Sequence, residues 1–488
     1  MISNGYSRRF SYRLRWLTVI LSAILSASLV CSYIALDVYD VLPGPLTVSA
    51  QKHATVIQNP QGVRSVPYFA NGASDGSPIN QNEAKKLIKE LVETAGVGND
   101  VSVVIADARG KVVASHAPDI PREPASTMKT LTADVATHVL DMGSTLDTTV
   151  YLSNNNNSHI VLKGNGDMLL GVEENDIKHV NGRAGLKTLA EKTAKVLKSR
   201  GISEVSLSVD DSLFGSKRFP SLVSENDSEG RFYAPTSSMA IDCARQRDFA
   251  QWVKAGFDAD DLDDYPILDK NPAEKVGKTF SNLLSKQGVQ VNFSGDISKE
   301  KSLITNGYSP IAHISSATLG EILGYMLRRS DNTLAEEFGR LIALARGKSN
   351  SPEGGTIAVK ESLRELGIST NGLHMSDCSG LSPKSTVLVT TLVQAQADNL
   401  RSGSSPAAAQ GLSIPGFIGS ARKRLQDDSI VGMLRVKTGA LEQVTSMSGN
   451  VTRKKGGTLT FAVIINNPTD YWLAFNSISQ FIKNLPEL

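Results

Sequence analysis

Ser126 and Lys129 stand three residues apart in Pro124-Ala125-Ser126-Thr127-Met128-Lys129, where Leu131, Val135 and Leu140 then recur at helical spacing. Positions i and i+3 share one side of a helix, a turn apart, so this spacing brings a hydroxyl to an amine. A serine hydroxyl becomes a competent nucleophile when a base within hydrogen-bond reach takes its proton. A lysine is such a base only when neutral, which burial or a neighbouring cation achieves by lowering its pKa. The same spacing recurs at Ser298/Lys301 and Ser420/Lys423, so alone it says little. Two further stretches give it weight. Ser330-Asp331-Asn332 lies between two helical patterns, and Lys437-Thr438-Gly439 follows the strand-like run 431–436; each occurs once.

The elements that must hold these residues can be read around them. Residues 82–94 have helical spacing and stop at Gly96. Residues 101–106 and 112–115 read as strands joined by a hairpin turn at Asp107-Ala108-Arg109-Gly110. The Ser126 helix is expected to end near Gly143. From about 146 to 310 the texture changes: short strands at 150–152 and 160–162, a turn at Gly164-Asn165-Gly166-Asp167, helices at 185–199 and 272–287, and a strand at 205–209. The acidic run 258–264 lacks the glycine and distal glutamate of a calcium loop, which favours a solvated loop. Helical spacing returns from Ser316 on both sides of Ser330. Strands at 444–451 and 458–465 and a helix at 471–484 close the chain. The pattern is α+β: an antiparallel sheet between helices, its strands drawn from opposite ends of the chain. The expected division is a catalytic part at 81–145 and 311–488, interrupted by an inserted α+β domain at 146–310.

The sequence has 488 residues with 51 Lys+Arg against 49 Asp+Glu, and nothing in this balance points to nucleic acid. Arg8, Arg9, Arg13 and Arg15 precede an apolar stretch at 16–36, about the length of a bilayer span, and Asp37 follows it. This asymmetry places 1–15 in the cytoplasm and the bulk outside. The long apolar run favours an uncleaved anchor, with a cleaved signal and a secreted protein as the alternative. Residues 37–80, rich in Pro, Gly, Ser and Asn, read as a linker. Cys243 and Cys378 would both lie outside, where they either form a disulfide or remain buried thiols. No Cys/His spacing matches a zinc site, and the seven histidines read as structural. No metal or cofactor is expected.

Ser-x-x-Lys, Ser-Asp-Asn and Lys-Thr-Gly together form the motif set of penicillin-binding proteins and class A β-lactamases. With Ser330 lying 204 positions after Ser126, the sequence resembles the S13 family of serine-type D-alanyl-D-alanine carboxypeptidases, the class C low-molecular-weight penicillin-binding proteins. The stretches Leu162-Lys163-Gly164-Asn165-Gly166-Asp167, Val209-Asp210-Asp211-Ser212-Leu213-Phe214 and Asp377-Cys378-Ser379-Gly380-Leu381-Ser382 add to the resemblance, which covers about 80–488. It implies a penicillin-binding/β-lactamase-like fold: a five-stranded sheet between helices, plus an all-helical side. It implies carboxypeptidase, and in part endopeptidase, action on peptidoglycan stem peptides, with β-lactams as inhibitors. Ser126 would be the acylated nucleophile and Lys129 the base, its pKa lowered by burial and by Lys437. Ser330 would relay a proton, and Asn332 would hold a substrate amide. Lys437 and Thr438 would anchor the terminal carboxylate. Gly439 would allow close approach of the substrate, and the N–H groups of Ser126 and Ala440 would form the oxyanion hole. Asp167 would meet the side chain of the third stem residue.

The sequence departs from the family at three places. Ala440 stands where Ser or Thr is usual, and Cys378 where a small residue is usual. Pro383, followed by Lys384, stands where an arginine meets the carboxylate of diaminopimelate. An Arg clamp on a carboxylate is bidentate and Lys is a point charge, so the expected preference is for a third residue ending in an amine alone. The alternative is a catalytically silent wall-binding or β-lactam-sensing protein: Ala440 is mildly for it, and the intact Ser126, Lys129, Ser330 and Lys437 argue against it. A β-lactamase fits less well, because no Glu-x-x-Leu-Asn follows Ser330.

Overall fold

The computed structural model describes residues 5–38, 76–248, 251, 255–256, 258–260, 264–401, 405–425, 427 and 429–488. The expected linker falls largely outside them. The chain separates into two units, 1–60 and 61–488. In the first, Gly5–Val38 is one helix whose stretch Trp16–Leu36 is long and apolar enough to cross a membrane. Its side chains are exposed there.

In the second unit the strands, in chain order, are β1 (Val101–Asp107), β2 (Val112–His116), β3 (Thr145–Ser153), β4 (His159–Gly164), β5 (Asp167–Leu170), β6 (Glu204–Asp210), β7 (Met239–Ile241), β8 (Gln290–Asn292), β9 (Ile297–Ser298), β10 (Tyr308–Thr318), β11 (Leu434–Leu441), β12 (Val444–Thr452) and β13 (Thr458–Asn466). A five-stranded antiparallel sheet runs β11-β12-β13-β1-β2, so its strands do come from opposite ends of the chain. Side chains alternate across a strand. Val104, Ala106, Ala462 and Ile464 therefore enter a core shared with the Lys129–Val139, Leu319–Arg329, Asn332–Ala345, Pro352–Glu365 and Val389–Asp398 helices. Val103, Ile105, Phe461 and Val463 enter a second core under the Gln81–Val92 and Tyr471–Asn484 helices. With apolar residues facing both ways, the sheet has to lie between two helical layers.

A third core surrounds a mixed sheet, β10-β3-β4-β6-β8, covered by the Leu186–Ser199 and Pro272–Lys286 helices. The segment from 146 to 310 is entered and left through neighbouring antiparallel strands, β3 and β10. β3 and β4 are longer than expected, because β10 gives β3 a second partner. β10 itself lies where loop and helix were expected. Its Pro310 sits at a register shift on an edge strand, a place where a missing N–H is tolerated. The following helix starts at Leu319, not Ser316, held by a reciprocal cap of Thr318 and Glu321. The Pro352–Glu365 and Val389–Asp398 helices had no sequence assignment. Gly354-Gly355 weakens the first pattern, and the gap has a packing reason: a Cβ on Gly355 would lie 3.2 Å from the backbone of Gly339.

The acidic run is not simply a solvated loop. Asp260 accepts N–H groups from Val180 and Asn181, and Asp264 pairs with Arg247. Arg453, between β12 and β13, is buried against the carbonyl of Leu488. Cys243 and Cys378 are free, buried thiols, so the disulfide alternative does not hold.

Candidate active site

A 3₁₀ turn, Ala125–Met128, runs straight into the Lys129–Val139 helix. Ser126 sits on that turn, partly open to solvent, while Lys129 is fully buried. Ala125 takes φ +49°, a left-handed conformation that costs an L-residue energy and is kept only where the surroundings impose it. Gly380 packs from the other side: a Cβ there would lie 1.9 Å from the Ala125 carbonyl oxygen. Gly439 packs similarly, where a Cβ would meet Ser446 Oγ at 2.1 Å and the Pro124 carbonyl oxygen at 2.8 Å. The glycine of Lys-Thr-Gly thus lets β11 lie against the turn that holds Ser126.

Lys129 Nζ donates to Ser126 Oγ at 2.8 Å, Asn332 Oδ1 at 2.6 Å and the Ser379 carbonyl at 2.9 Å. These use the three donors of an ammonium. Burial lowers its pKa to about 7, opposed by the charges of Asp377 and Asp331. An amine that loses one proton keeps two donors for Asn332 and Ser379 and turns its lone pair to the Ser126 hydroxyl. Local spacing sets the amine beside the Ser126 hydroxyl, and burial brings its pKa towards neutrality.

Ser330 caps the C-terminus of the Leu319–Arg329 helix at φ +56°, and Asp331 caps the N-terminus of the next by accepting the Leu334 N–H. This sharp reversal exposes the Ser330 hydroxyl to Lys437 Nζ at 2.9 Å. Lys437 also donates to the Thr438 carbonyl at 2.7 Å. Its pKa is pushed well down, first by burial and then by the Lys129 charge. Asn332 Nδ2 is held by the Phe232 carbonyl. Thr438 Oγ1 lies 2.7 Å from Ser420 Oγ.

β11 ends its sheet, so one backbone edge is free of a strand partner. Val436 bonds Ser413 with both backbone groups across that edge. By the period of two, Thr438 and Ala440 turn their backbone groups to the same side. The Ala440 N–H thus points along an edge that an extended peptide can join, and Ala440 itself is exposed.

Asp167 bonds to none of these residues. It opens β5 almost fully buried, with Oδ1 accepting the Leu169 N–H at 2.9 Å and Oδ2 accepting nothing. Burial raises its pKa to about 7. The structure adds residues that the motif reading gave no role. Asp377 accepts N–H groups of Ser379, Gly380 and Ser382 and so fixes the loop whose Ser379 carbonyl meets Lys129. The single acid and the small residues Ser379, Gly380 and Ser382 of this stretch were the available signal.

The model of the D-Ala-D-Ala carboxypeptidase 3 (S13) family matches residues 84–256 and 266–484. Carboxypeptidase DacB of Mycolicibacterium smegmatis is 31% identical over 358 residues, which is 71% of this chain and 72% of the relative. Carboxypeptidase Rv3627c of Mycobacterium tuberculosis is 28% identical over 357 residues, with 71% and 72% covered. The crystal structure of penicillin binding protein 4 from Haemophilus influenzae superposes with a TM-score of 0.64 at 20% identity, covering 84% of this chain and all of that one. This last likeness is one of fold.

Proposed function

The chain belongs to the D-Ala-D-Ala carboxypeptidase 3 (S13) family, and from that membership we propose how its residues divide the work of a serine-type D-Ala-D-Ala carboxypeptidase acting on peptidoglycan stem peptides. Ser126 Oγ attacks the carbonyl carbon of the D-Ala-D-Ala bond while its proton passes to the Lys129 amine. The N–H groups of Ser126 and Ala440 hold the oxyanion of the tetrahedral intermediate. The C–N bond then breaks, and the Lys129 proton reaches the leaving D-alanine amine through the Ser330 hydroxyl. Water cleaves the resulting ester. Lys437 and Thr438 take the terminal carboxylate, Asn332 a substrate amide, and Gly439 leaves room for the peptide against β11. A β-lactam follows the same first steps, but its amine stays tethered and the acyl-enzyme persists.

The observation that carries this reading is the Lys129 amine lying 2.8 Å from Ser126 Oγ at a buried position, where burial lowers its pKa to about 7. The test is release of D-alanine from a pentapeptide, with fluorescent penicillin as competitor. Release that penicillin blocks in step with covalent labelling is expected. Labelling without release would instead favour a β-lactam sensor.

We extend the reading to Asp167, whose Oδ2 has no hydrogen-bond partner and is buried, so that an amine at the end of the third stem residue would reach it by a local opening around β5. A lysine pentapeptide should show kcat/KM about tenfold or more above its diaminopimelate counterpart, because the extra carboxylate beside Asp167 has no arginine to meet. Asp167→Asn should erase that preference. Equal rates in wild type and variant would leave Asp167 only its bond to Leu169.

For location, the Trp16–Leu36 segment is proposed to hold the enzyme at the outer face of the cytoplasmic membrane. Fractionation should find the full chain in membranes and a chain starting at Asp37, secreted through a foreign signal, in the soluble fraction. A full-length protein shortened near Leu29 and free in the medium would overturn the anchor.

A further inference from the structure

Asp134 lies on the Lys129–Val139 helix, and His138 follows one turn later. Asp398 is the last residue of the Val389–Asp398 helix. One donor atom from each of the three lies within 4.8 Å of the others. His138 Nε2 is 2.6 Å from Asp398 Oδ2 and 4.0 Å from Asp134 Oδ1. Arg401 Nη1 takes the other Asp398 oxygen at 2.7 Å. The Asp134 side chain is completely buried; no N–H or hydroxyl group donates to its oxygens, and the Asp398 carboxyl lies within hydrogen-bond reach of it. Two carboxyl groups buried side by side are costly unless they share a cation or a proton.

We propose that Asp134, His138 and Asp398 form a zinc site that fastens the two helices together. Two carboxylate oxygens and one imidazole nitrogen are a donor set that suits Zn²⁺, with water completing a tetrahedron. Metal–ligand bonds of about 2.0–2.1 Å put tetrahedral ligand atoms roughly 3.3 Å apart. The observed 2.6 Å and 4.0 Å separations bracket that edge, so small side-chain movements close the site. The His138 side chain is 29% exposed, which gives the ion a way in. The ligands lie roughly 7–14 Å along the helix from Lys129, so the zinc has a structural role and no part in acyl transfer. The Val389–Asp398 helix also packs on β13, β1 and β12 of the five-stranded sheet. Zinc would therefore tie the helix that begins at Lys129 to the layer that carries Lys437. A search for Cys/His spacing overlooks such a site, because one of its ligands lies 260 positions from the histidine.

The test uses the full chain in detergent, stripped with chelator, dialysed against zinc and assayed for metal content and Tm. Wild type should hold one zinc per chain with a raised Tm, while the metal-free form still labels with penicillin. Asp134→Asn should lose both the zinc and the Tm gain. His138→Gln, at a part-exposed side chain that disturbs the fold less, should lose them too. A wild-type chain that retains no zinc would overturn the site in favour of a proton shared by Asp134 and Asp398. Equal zinc in wild type and both variants would also overturn it, by showing adventitious metal.

Discussion

Ser126→Ala is expected to abolish covalent labelling by fluorescent penicillin while shifting Tm by only a few degrees. In the proposed mechanism the hydroxyl oxygen is the atom that becomes bonded to the acyl group, and removal of the nucleophile from a serine hydrolase costs about 10⁶ in kcat. Its structural worth is small. Lys129 Nζ loses one acceptor and keeps Asn332 Oδ1 and the Ser379 carbonyl. The loss amounts to about 1–2 kcal/mol. Ser126 is also only partly buried, so water can take the vacated place. Mass spectrometry of the intact chain after exposure to penicillin reads the adduct directly. An alanine variant that still gains the mass of the drug would assign the nucleophile elsewhere.

The rate of acylation by penicillin is expected to rise with pH through about 7 and then level off. Lys129 serves as base only when neutral, and burial brings its pKa down from 10.5 to about 7. Below that pH each unit should cost about tenfold in rate, because the neutral fraction falls tenfold. Lys129→Met should lower the rate roughly 10²–10⁴-fold and remove the rising limb. Burial also raises the pKa of Glu336, to about 8, and its charge belongs to the same buried region. Glu336→Gln therefore serves as the control that should keep the limb. The decisive measurement is the second-order acylation rate from about pH 5 to 9 for the three proteins. A limb that survives in Lys129→Met but disappears in Glu336→Gln would move the titration from the lysine to the carboxyl. Protein stability carries the same sign for Lys129. Its folded pKa is depressed, so its contribution is most favourable above the ordinary lysine value and is lost as pH falls towards about 7.

Ser126 and Lys129 were legible because their meeting is local: three residues of helix-like chain suffice to bring hydroxyl to amine. Ser330 and Asn332 were legible as a pair for a related reason, since a helix end and the next helix start fall on consecutive residues. The near-continuous apolar runs of β1 and β13 likewise fitted a sheet lying between helices, whereas β12, with only Val444, Met447 and Val451 apolar, is buried by its neighbours. What spacing cannot carry is any pairing set by the path of the chain. The carbonyl of Ser379, 250 positions from Lys129, becomes its acceptor only because Asp377 folds its own loop and Gly380 fits under Ala125. β10 was hidden because its strand character comes from pairing with β3, not from its own residues, which include Pro310. Cys243 and Cys378 gave no hint of their separation. The fold sets one thiol against Asp331 and the other against Gly339, each in its own packed position. Composition likewise left Asp260 in solvent, where the fold sets it to receive two backbone N–H groups. The sequence alone determined which groups are chemically available and which short stretches present them. The tertiary structure decided which of those groups lose their water. Burial among distant partners is what brings the pKa of a lysine on an ordinary helix down towards neutrality.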